Sequence, residues 1–334
     1  MPAPEALRLL GVKRATLYTY ASRGWVATRR LDGRRKLYRR ADVERLRDRS
    51  LAHQGSGARS AATMAWGEPI LETAITGIDR DGPYYRGVPA VDLVDTPLEA
   101  GAELLWGVPP GSWPTGTTAP DLPTLDGLRR HLNGLPRLAD PLDQARQLVV
   151  EVRAASGLPA HPDLTAAAVL CADHDLTAST FTARVVASTG ADLYAVVVAA
   201  LAAFSGPRHG AASQALAALL AAPAALERAL RDGRAPGFGH PLYPDGDPRA
   251  VVLLERTPPT GALARAIERF AAIGVAPNLD AGLAALCAAH GLPPRAGSLV
   301  FATGRVAGWI AHALEQRSVG GLLRPRAHYT GWDR

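Results

Sequence analysis

Three histidines, one aspartate and three arginines could do chemistry here, and all seven lie in glycine- or proline-rich breaks between apolar stretches. His174 lies in Ala172-Asp173-His174-Asp175, His209 in Gly206-Pro207-Arg208-His209-Gly210, and His240 in Gly237-Phe238-Gly239-His240. Asp280 ends Pro277-Asn278-Leu279-Asp280, and Arg249 ends Asp247-Pro248-Arg249. Arg305 follows Gly304, and Arg324 lies in Leu323-Arg324-Pro325-Arg326. Imidazoles and carboxylates move protons, and a planar guanidinium grips a carboxylate with two hydrogen bonds. Breaks supported by a rigid scaffold are where such groups gather for function. Taken singly, each is as readily a packed or solvated side chain; their joint order along the chain sets them apart. No pair has the spacing of a zinc-binding helix, so no metal is expected. GxSxG and Walker-type loops are absent from the sequence.

The elements that must position these residues read as helices. Alanine-rich periodic stretches cover Leu142–Ala155, Thr165–Ala172, Ser179–Ala203 and Ser213–Ala222. Arg305 is read at the start of a further helix, after Gly304. Strand-like segments are few: Ile70–Ile78 and Tyr84–Val88. Pro109–Pro123 reads as a long loop. The longest apolar run, Leu193–Phe204, has 12 residues, short of the roughly 20 that a bilayer span needs. No membrane span is expected. The two cysteines, Cys171 and Cys287, sit in apolar runs and give no disulfide framework or ligand cluster. They fit a reducing cytoplasm.

Charge divides the chain. Residues 1–50 carry 14 basic and 5 acidic side chains, a net +9, while residues 51–334 carry 23 and 26, a net −3. A basic cluster of that density is the electrostatic footprint of a polyanion partner. Within it, Pro4–Leu10 reads as a helix with Ala6, Leu9 and Leu10 on one face. Gly11-Val12 breaks it, and Arg14–Ser22 reads as a second helix with Leu17 and Tyr20 on its apolar face. Asp32-Gly33 between two short strand-like runs predicts a hairpin, and a third helix begins near Ala41 with Val43 and Leu46. Gln54–Ala62 is Gly/Ser/Ala-rich and reads as a linker.

Residues 4–49 resemble the winged helix-turn-helix of the MerR and excisionase type, through Leu9-Leu10-Gly11-Val12, Thr16-Leu17-Tyr18, Gly24, Arg35–Tyr38 and Ala41-Asp42-Val43. The resemblance implies DNA contact by Lys13, Arg14, Thr16, Tyr18 and Tyr20 on or near the reading helix. On the wing it implies contact by Arg29, Arg30, Arg34, Arg35 and Lys36. A basic face used for a protein partner is the alternative from the residues alone.

Residues 68–331 resemble citrate synthase. The matching segments include Glu72–Asp79, Tyr85-Arg86-Gly87, Ala172-Asp173-His174, Ala183–Thr189, Gly206–Gly210, Gly237–His240, Asp247-Pro248-Arg249, Pro277–Asp280, Gly304–His312 and Leu323–Ala327. The resemblance implies an all-α fold of two domains. A large helical domain covers 68–207 and 300–334, with a small domain inserted at 208–299. Both follow a helix-turn-helix at 1–50 and a linker at 51–67. It implies an acyltransferase that condenses acetyl-CoA with oxaloacetate to citrate and CoA, the entry step of the tricarboxylic acid cycle. No cofactor is tightly bound; acetyl-CoA, or another short acyl-CoA, is a co-substrate. It further implies that Asp280 takes the acetyl proton, His209 stabilises the enol and His240 protonates the oxaloacetate carbonyl. His174, Arg249 and Arg305 match oxaloacetate ligands. Arg324 matches an arginine given by the neighbouring subunit, which makes the active unit a homodimer.

The sequence departs from the family pattern at Pro241-Leu242-Tyr243-Pro244, where relatives carry basic residues that help hold CoA. It departs again at Thr177 and Ser213, where asparagine is usual. The body is also shorter than is typical. The proton-transfer and oxaloacetate residues stay intact while the CoA side is thinned. Two alternatives therefore stay open: a 2-methylcitrate synthase using propionyl-CoA, and a metabolite-sensing transcription regulator whose body binds without turnover.

Overall fold

The computed structural model describes residues 2–10, 12–23, 25–31, 35–39, 42–43, 71–79, 81–117 and 124–325. The chain forms two compact units, 1–72 with 326–334, and 73–325.

In the first unit, α1 (Ala3–Leu10) and α2 (Arg14–Ser22) precede an antiparallel hairpin of β1 (Thr28–Leu31) and β2 (Arg35–Tyr38). Ala6, Leu10, Leu17, Val26, Tyr38 and Val43 form its core. These include apolar positions that helical periodicity selects, Ala6, Leu10 and Leu17. Asp42 is buried and accepts a hydrogen bond from the Ala27 N–H at 2.8 Å. The expected Asp32-Gly33 turn, Gly11, Gly24, Arg34, Leu46 and the linker at 51–67 lie outside the described residues.

The second unit opens with a three-stranded antiparallel meander, β3 (Thr76–Asp79), β4 (Gly82–Tyr85) and β5 (Val88–Pro89). The rest is helical: α3 (Leu98–Trp106), α4 (Leu125–Asn133), α5 (Pro141–Ala155), α6 (Pro162–Cys171), α7 (Ala178–Ser188) and α8 (Leu193–Phe204). Then come α9 (Ala212–Leu220), α10 (Pro223–Asp232), α11 (Pro248–Arg256), α12 (Gly261–Ala271), α13 (Leu279–Ala289) and α14 (Arg295–Val319). Among the described residues, no helix is long and apolar enough to cross a membrane.

Two expectations change. Ser179–Ala203 is not one helix but α7 and α8, broken at Gly190, whose φ of +85° suits glycine. Asp192 then caps α8, its Oδ1 accepting from the Ala195 N–H at 2.8 Å. The apolar run Leu193–Phe204 is α8 itself, largely buried.

Arg305 does not start a helix; it sits in the middle of the 25-residue α14. Gly304 looks like a breaker in sequence but serves a close crossing. A Cβ there would lie 1.9 Å from the Ala168 carbonyl oxygen, and one at Gly308 2.3 Å from the Ala172 oxygen. These two glycines, one turn apart, let α14 run against the C-terminal end of α6. Helix α14 packs against α3, α5, α6, α7, α8, α9 and α13, so its buried face places Arg305 at the centre of the unit.

Tyr85 anchors the end of α6 from the meander. Its hydroxyl is buried, lies 3.0 Å from the Val169 carbonyl and receives the Asp173 N–H at 3.2 Å. The pair holds the turn that presents His174. Tyr85→Phe is expected to cost about 1–3 kcal/mol, because buried backbone groups lose their partner. Urea denaturation measures it, and an unchanged midpoint would contradict this role.

Candidate active site

Helix ends, the loops between them and the middle of α14 bring His174 within electrostatic reach of His240, Arg249 and Arg305, and place His240 and Asp280 each within reach of Arg249 and His209 within reach of Arg305. His174 lies in the turn between α6 and α7, where Asp175 takes a φ of +56°. It is buried, and its Nε2 shares a 2.8 Å hydrogen bond with the Tyr243 hydroxyl. His240 packs edge-on to His174, with centroids 5.3 Å apart, and stacks on Tyr243 at 4.8 Å. The Leu242 N–H donates to His240 Nδ1 at 3.2 Å. That leaves the neutral ring's proton on Nε2.

His209 sits in the turn between α8 and α9. Its Nε2 meets Ser179 Oγ at 2.8 Å, while Trp309 Nε1 donates to the same oxygen at 3.0 Å. Indole can only donate, so the serine proton is available to Nε2, and His209 then carries its own proton on Nδ1. Burial, with the nearby Arg305 charge, pushes His209 down to about 4. Burial and the Arg249 charge push His240 down to about 4, against a smaller opposing pull from Asp247. Burial, with Arg249, Arg305 and His240, drives His174 well below the usual imidazole range. All three are neutral near pH 7, which suits hydrogen-bond donation to a developing oxyanion.

Asp280 is the second residue of α13, after the N-cap Asn278. Asn278 fixes two things at once. Its Oδ1 accepts from the Asp280 N–H at 3.0 Å, and its Nδ2 donates to the Gly239 carbonyl at 2.9 Å. Gly239 N–H donates to the Ala276 carbonyl at 2.8 Å, and Asn278 N–H to the Gly237 carbonyl at 2.9 Å. A short β-bridge between Phe238 and Pro277 thus ties the His240 loop to the start of α13. Gly237 and Gly239 have φ of +81° and +72°, which a side chain at either position would strain. Asp280 Oδ1 is buried with no hydrogen-bond partner among the described residues. Burial raises Asp280 to about 7, with Asp247 adding to the rise and Arg249 opposing it.

The two buried arginines differ. Arg249 is gripped by Asp247, with Nε at 2.9 Å and Nη2 at 2.8 Å from its oxygens. Asp247 also accepts the Leu279 N–H at 3.1 Å, joining the start of α11 to the start of α13. Despite burial, the Arg249 charge and hydrogen bonds hold Asp247 below the usual carboxylate range. Arg305 donates to the Cys171 carbonyl at 2.6 Å and to Thr177 Oγ1 at 3.3 Å. Among the described residues it meets no carboxylate at ion-pair distance. Burial lowers its pKa, against the pull of Asp173. A buried cation whose nearest counter-charge is not in contact with it is a prepared anion site. Arg324, by contrast, is exposed in the segment after α14 and does not join the cluster within one chain.

Sequence reasoning passed over Ser179, Tyr243, Asp247, Asn278 and Trp309 as site residues. The Asp-Pro and Asn-Leu-Asp helix starts signal the two caps; Ser179 and Trp309 carry no such local signal, since their contact spans 130 positions. Tyr243 lies inside the segment where the basic residues are missing, and it supports both His174 and His240.

Residues 159–326, just over half of the chain, match the family profile described as "Citrate synthase, C-terminal domain". Citrate synthase 2 of Bacillus subtilis is 38% identical over 187 residues, 50% of this chain and 50% of that one. The 2-methylcitrate synthase of Shewanella oneidensis is 33% identical over 183 residues, 49% of this chain and 48% of its own. The chain thus aligns with about half the length of these curated relatives. The crystal structure of citrate synthase from Thermotoga maritima superimposes with a TM-score of 0.64 at 27% identity, over 79% of this chain and 94% of that one. A citrate synthase from Thermoplasma acidophilum, solved with carboxymethyl coenzyme A and oxaloacetate, has a TM-score of 0.58 at 23% identity over 80% of this chain and 95% of that one, and shares the fold.

Proposed function

The chain belongs to the citrate synthase family, and we propose that it is a citrate-synthase-type acyltransferase condensing acetyl-CoA with oxaloacetate. The observation that carries this is Asp280: a buried carboxyl at about 7, with an oxygen unpaired among the described residues, within electrostatic reach of Arg249 and on the helix start that is tied to the His240 loop. A thioester α-proton is too weakly acidic for a carboxylate alone, so base and oxyanion donor must act together. Asp280 takes the methyl proton while the His209 Nδ1–H bonds the thioester oxygen of the forming enol. The enol carbon attacks the oxaloacetate ketone, whose oxygen takes a proton from His240 Nε2. Water then cleaves the thioester, releasing CoA and citrate. His174, Arg249 and Arg305 hold the oxaloacetate carboxylates, and Arg324 completes a partner's site in a homodimer.

A thiol-release assay on the purified chain tests this. CoA release from acetyl-CoA that requires oxaloacetate is expected; none above background would sink the reading. Acting on propionyl-CoA is a second reading, favoured by the 2-methylcitrate synthase relative. One methylene is worth about 1–3 kcal/mol, so the ratio of kcat/KM for the two acyl-CoAs decides between them.

We read the large domain at 68–207 and 300–334 and the small domain at 208–299. A separate apolar cluster of Leu216, Phe238, Leu263, Ala266, Phe270, Ala281 and Ala285 supports this division. The first unit we read as a winged helix-turn-helix that binds DNA. Two helices and a hairpin support that reading, as do the exposed Lys13, Arg14, Tyr18 and Lys36. Arg34 lies outside the described residues. DNA binding whose affinity falls steeply with salt is expected, and a gel shift with and without oxaloacetate tests for the sensing role. Two buried, free cysteines are consistent with a cytoplasmic setting.

A further inference from the structure

We propose that His161, Asp163 and His290 form a binding site for a divalent transition-metal ion of the zinc class, separate from the catalytic cluster. One ligand atom from each of the three lies within 4.8 Å of the others. His290 Nε2 is 3.1 Å and His161 Nδ1 3.5 Å from the same oxygen, Asp163 Oδ2. The two imidazole rings lie with centroids 4.2 Å apart, tilted by 59° to one another. Tetrahedral zinc with bonds of about 2.0–2.2 Å spaces its ligand atoms about 3.4 Å apart, so side-chain adjustment suffices.

The donor set selects the ion. Two imidazoles and one carboxylate suit Zn²⁺, Co²⁺ or Ni²⁺ and not Mg²⁺ or Ca²⁺, which take oxygen shells. The second carboxylate oxygen is already placed: Arg256 Nε donates to Asp163 Oδ1 at 3.1 Å and leaves Oδ2 for the imidazoles. That guanidinium is shared with Asp95 at 2.9 Å, so its charge is partly met. His161 is 43% exposed and leaves water a coordination position. Asp163 and His290 stand 127 positions apart, so no local spacing reveals the site.

The location gives the ion a consequence. His161 caps the N-terminus of α6, the helix that leads into the His174 turn, its Nδ1 accepting the Asp163 N–H at 3.2 Å, so an ion held by Nδ1 takes the place of that cap bond. His290 is the C-cap of α13, the helix that carries Asp280 in its first turn. Arg256 ends α11, which carries Arg249 in its first turn. An ion here pins the far end of α13 to α6, and so restrains the helix that presents the base, while α11 is held to the same carboxylate by Arg256.

Titration of the full-length, chelator-treated chain with Zn²⁺ in a calorimeter tests the site, with Co²⁺ visible absorption as a second readout. His290→Gln removes one ligand. His161→Asn removes another while keeping a good N-cap. The expected result is one ion per chain, weakened by at least about 100-fold in either variant, beyond the usual cost of losing an outer partner. The cobalt band should vanish in both while their melting curves stay near the parent's. No Zn²⁺ binding by the parent would overturn the proposal. So would equal binding by parent and both variants, which would put the ion elsewhere, such as His174 with His240.

Discussion

Asp280→Asn is expected to lower turnover by about 10²–10⁴, the usual worth of a positioned base, and to make the chain more stable above neutral pH. The first effect follows from position. Asp280 has a buried oxygen unpaired among the described residues and lies within reach of Arg249; Asp247 is committed to Arg249 and the Leu279 N–H. Asparagine keeps the shape and the N-terminal contacts of α13 but cannot take a proton. Thiol release under saturating substrates reads the loss, and a variant within tenfold of the parent would remove Asp280 from the role of base.

The second effect follows from linkage. Burial, with Asp247 adding and Arg249 opposing, raises the folded carboxyl to about 7 from its ordinary 3.8. Between those values the folded chain holds a proton that the unfolded chain has released. Stability therefore falls as pH rises from about 4 to about 7, by on the order of 4 kcal/mol once ionisation is complete. Asparagine is never ionised and escapes that cost. Its Tm should match the parent's near pH 4 and exceed it at pH 8. In the parent, kcat/KM should rise with pH through about 7 as Asp280 loses its proton. A parent and variant with parallel stability curves would show that the carboxyl is solvated.

How far the sequence spoke depends on the kind of signal. The apolar run Leu193–Phe204 has the bounds of α8, because an all-round apolar helix is written in consecutive residues. The hairpin residues 28–31 and 35–38 were legible through Asp32-Gly33. Gly304 misled, since glycine marks both a helix break and a close helix crossing, and only the Ala168 carbonyl opposite it distinguishes them. The run Ser179–Ala203 hid a break because Gly190 and the Asp192 cap are two residues within a strongly apolar pattern. Among site residues, histidines in glycine-rich turns stood out, while Ser179 and Trp309 did not. Their importance lies in a hydrogen-bond relay to His209 that only the packing of α7 on α14 creates.

The same limit separates Arg249 from Arg305, and their substitution by methionine should split in opposite ways. Arg249→Met leaves Asp247 buried without its counter-charge, which costs about 3–5 kcal/mol of stability. Arg305→Met removes a buried cation with no ion-pair partner among the described residues. It gives up hydrogen bonds to the Cys171 carbonyl and Thr177, and its apolar stem still packs on Phe301, over which the guanidinium now lies at 4.8 Å. The Tm of the ligand-free Arg305→Met chain should therefore hold or rise. Its oxaloacetate affinity should fall by about 2–5 kcal/mol, at least about 30-fold, because the substrate carboxylate loses a desolvated partner. Thermal shift separates the two effects. At 100 times the parent's Kd, oxaloacetate stabilises the parent by about 2.7 kcal/mol and the variant by under about 1 kcal/mol. A variant that melts early yet keeps the full oxaloacetate shift would make Arg305 a structural residue. The expected outcome makes it a charge held in the core for a substrate, at a standing cost to the fold.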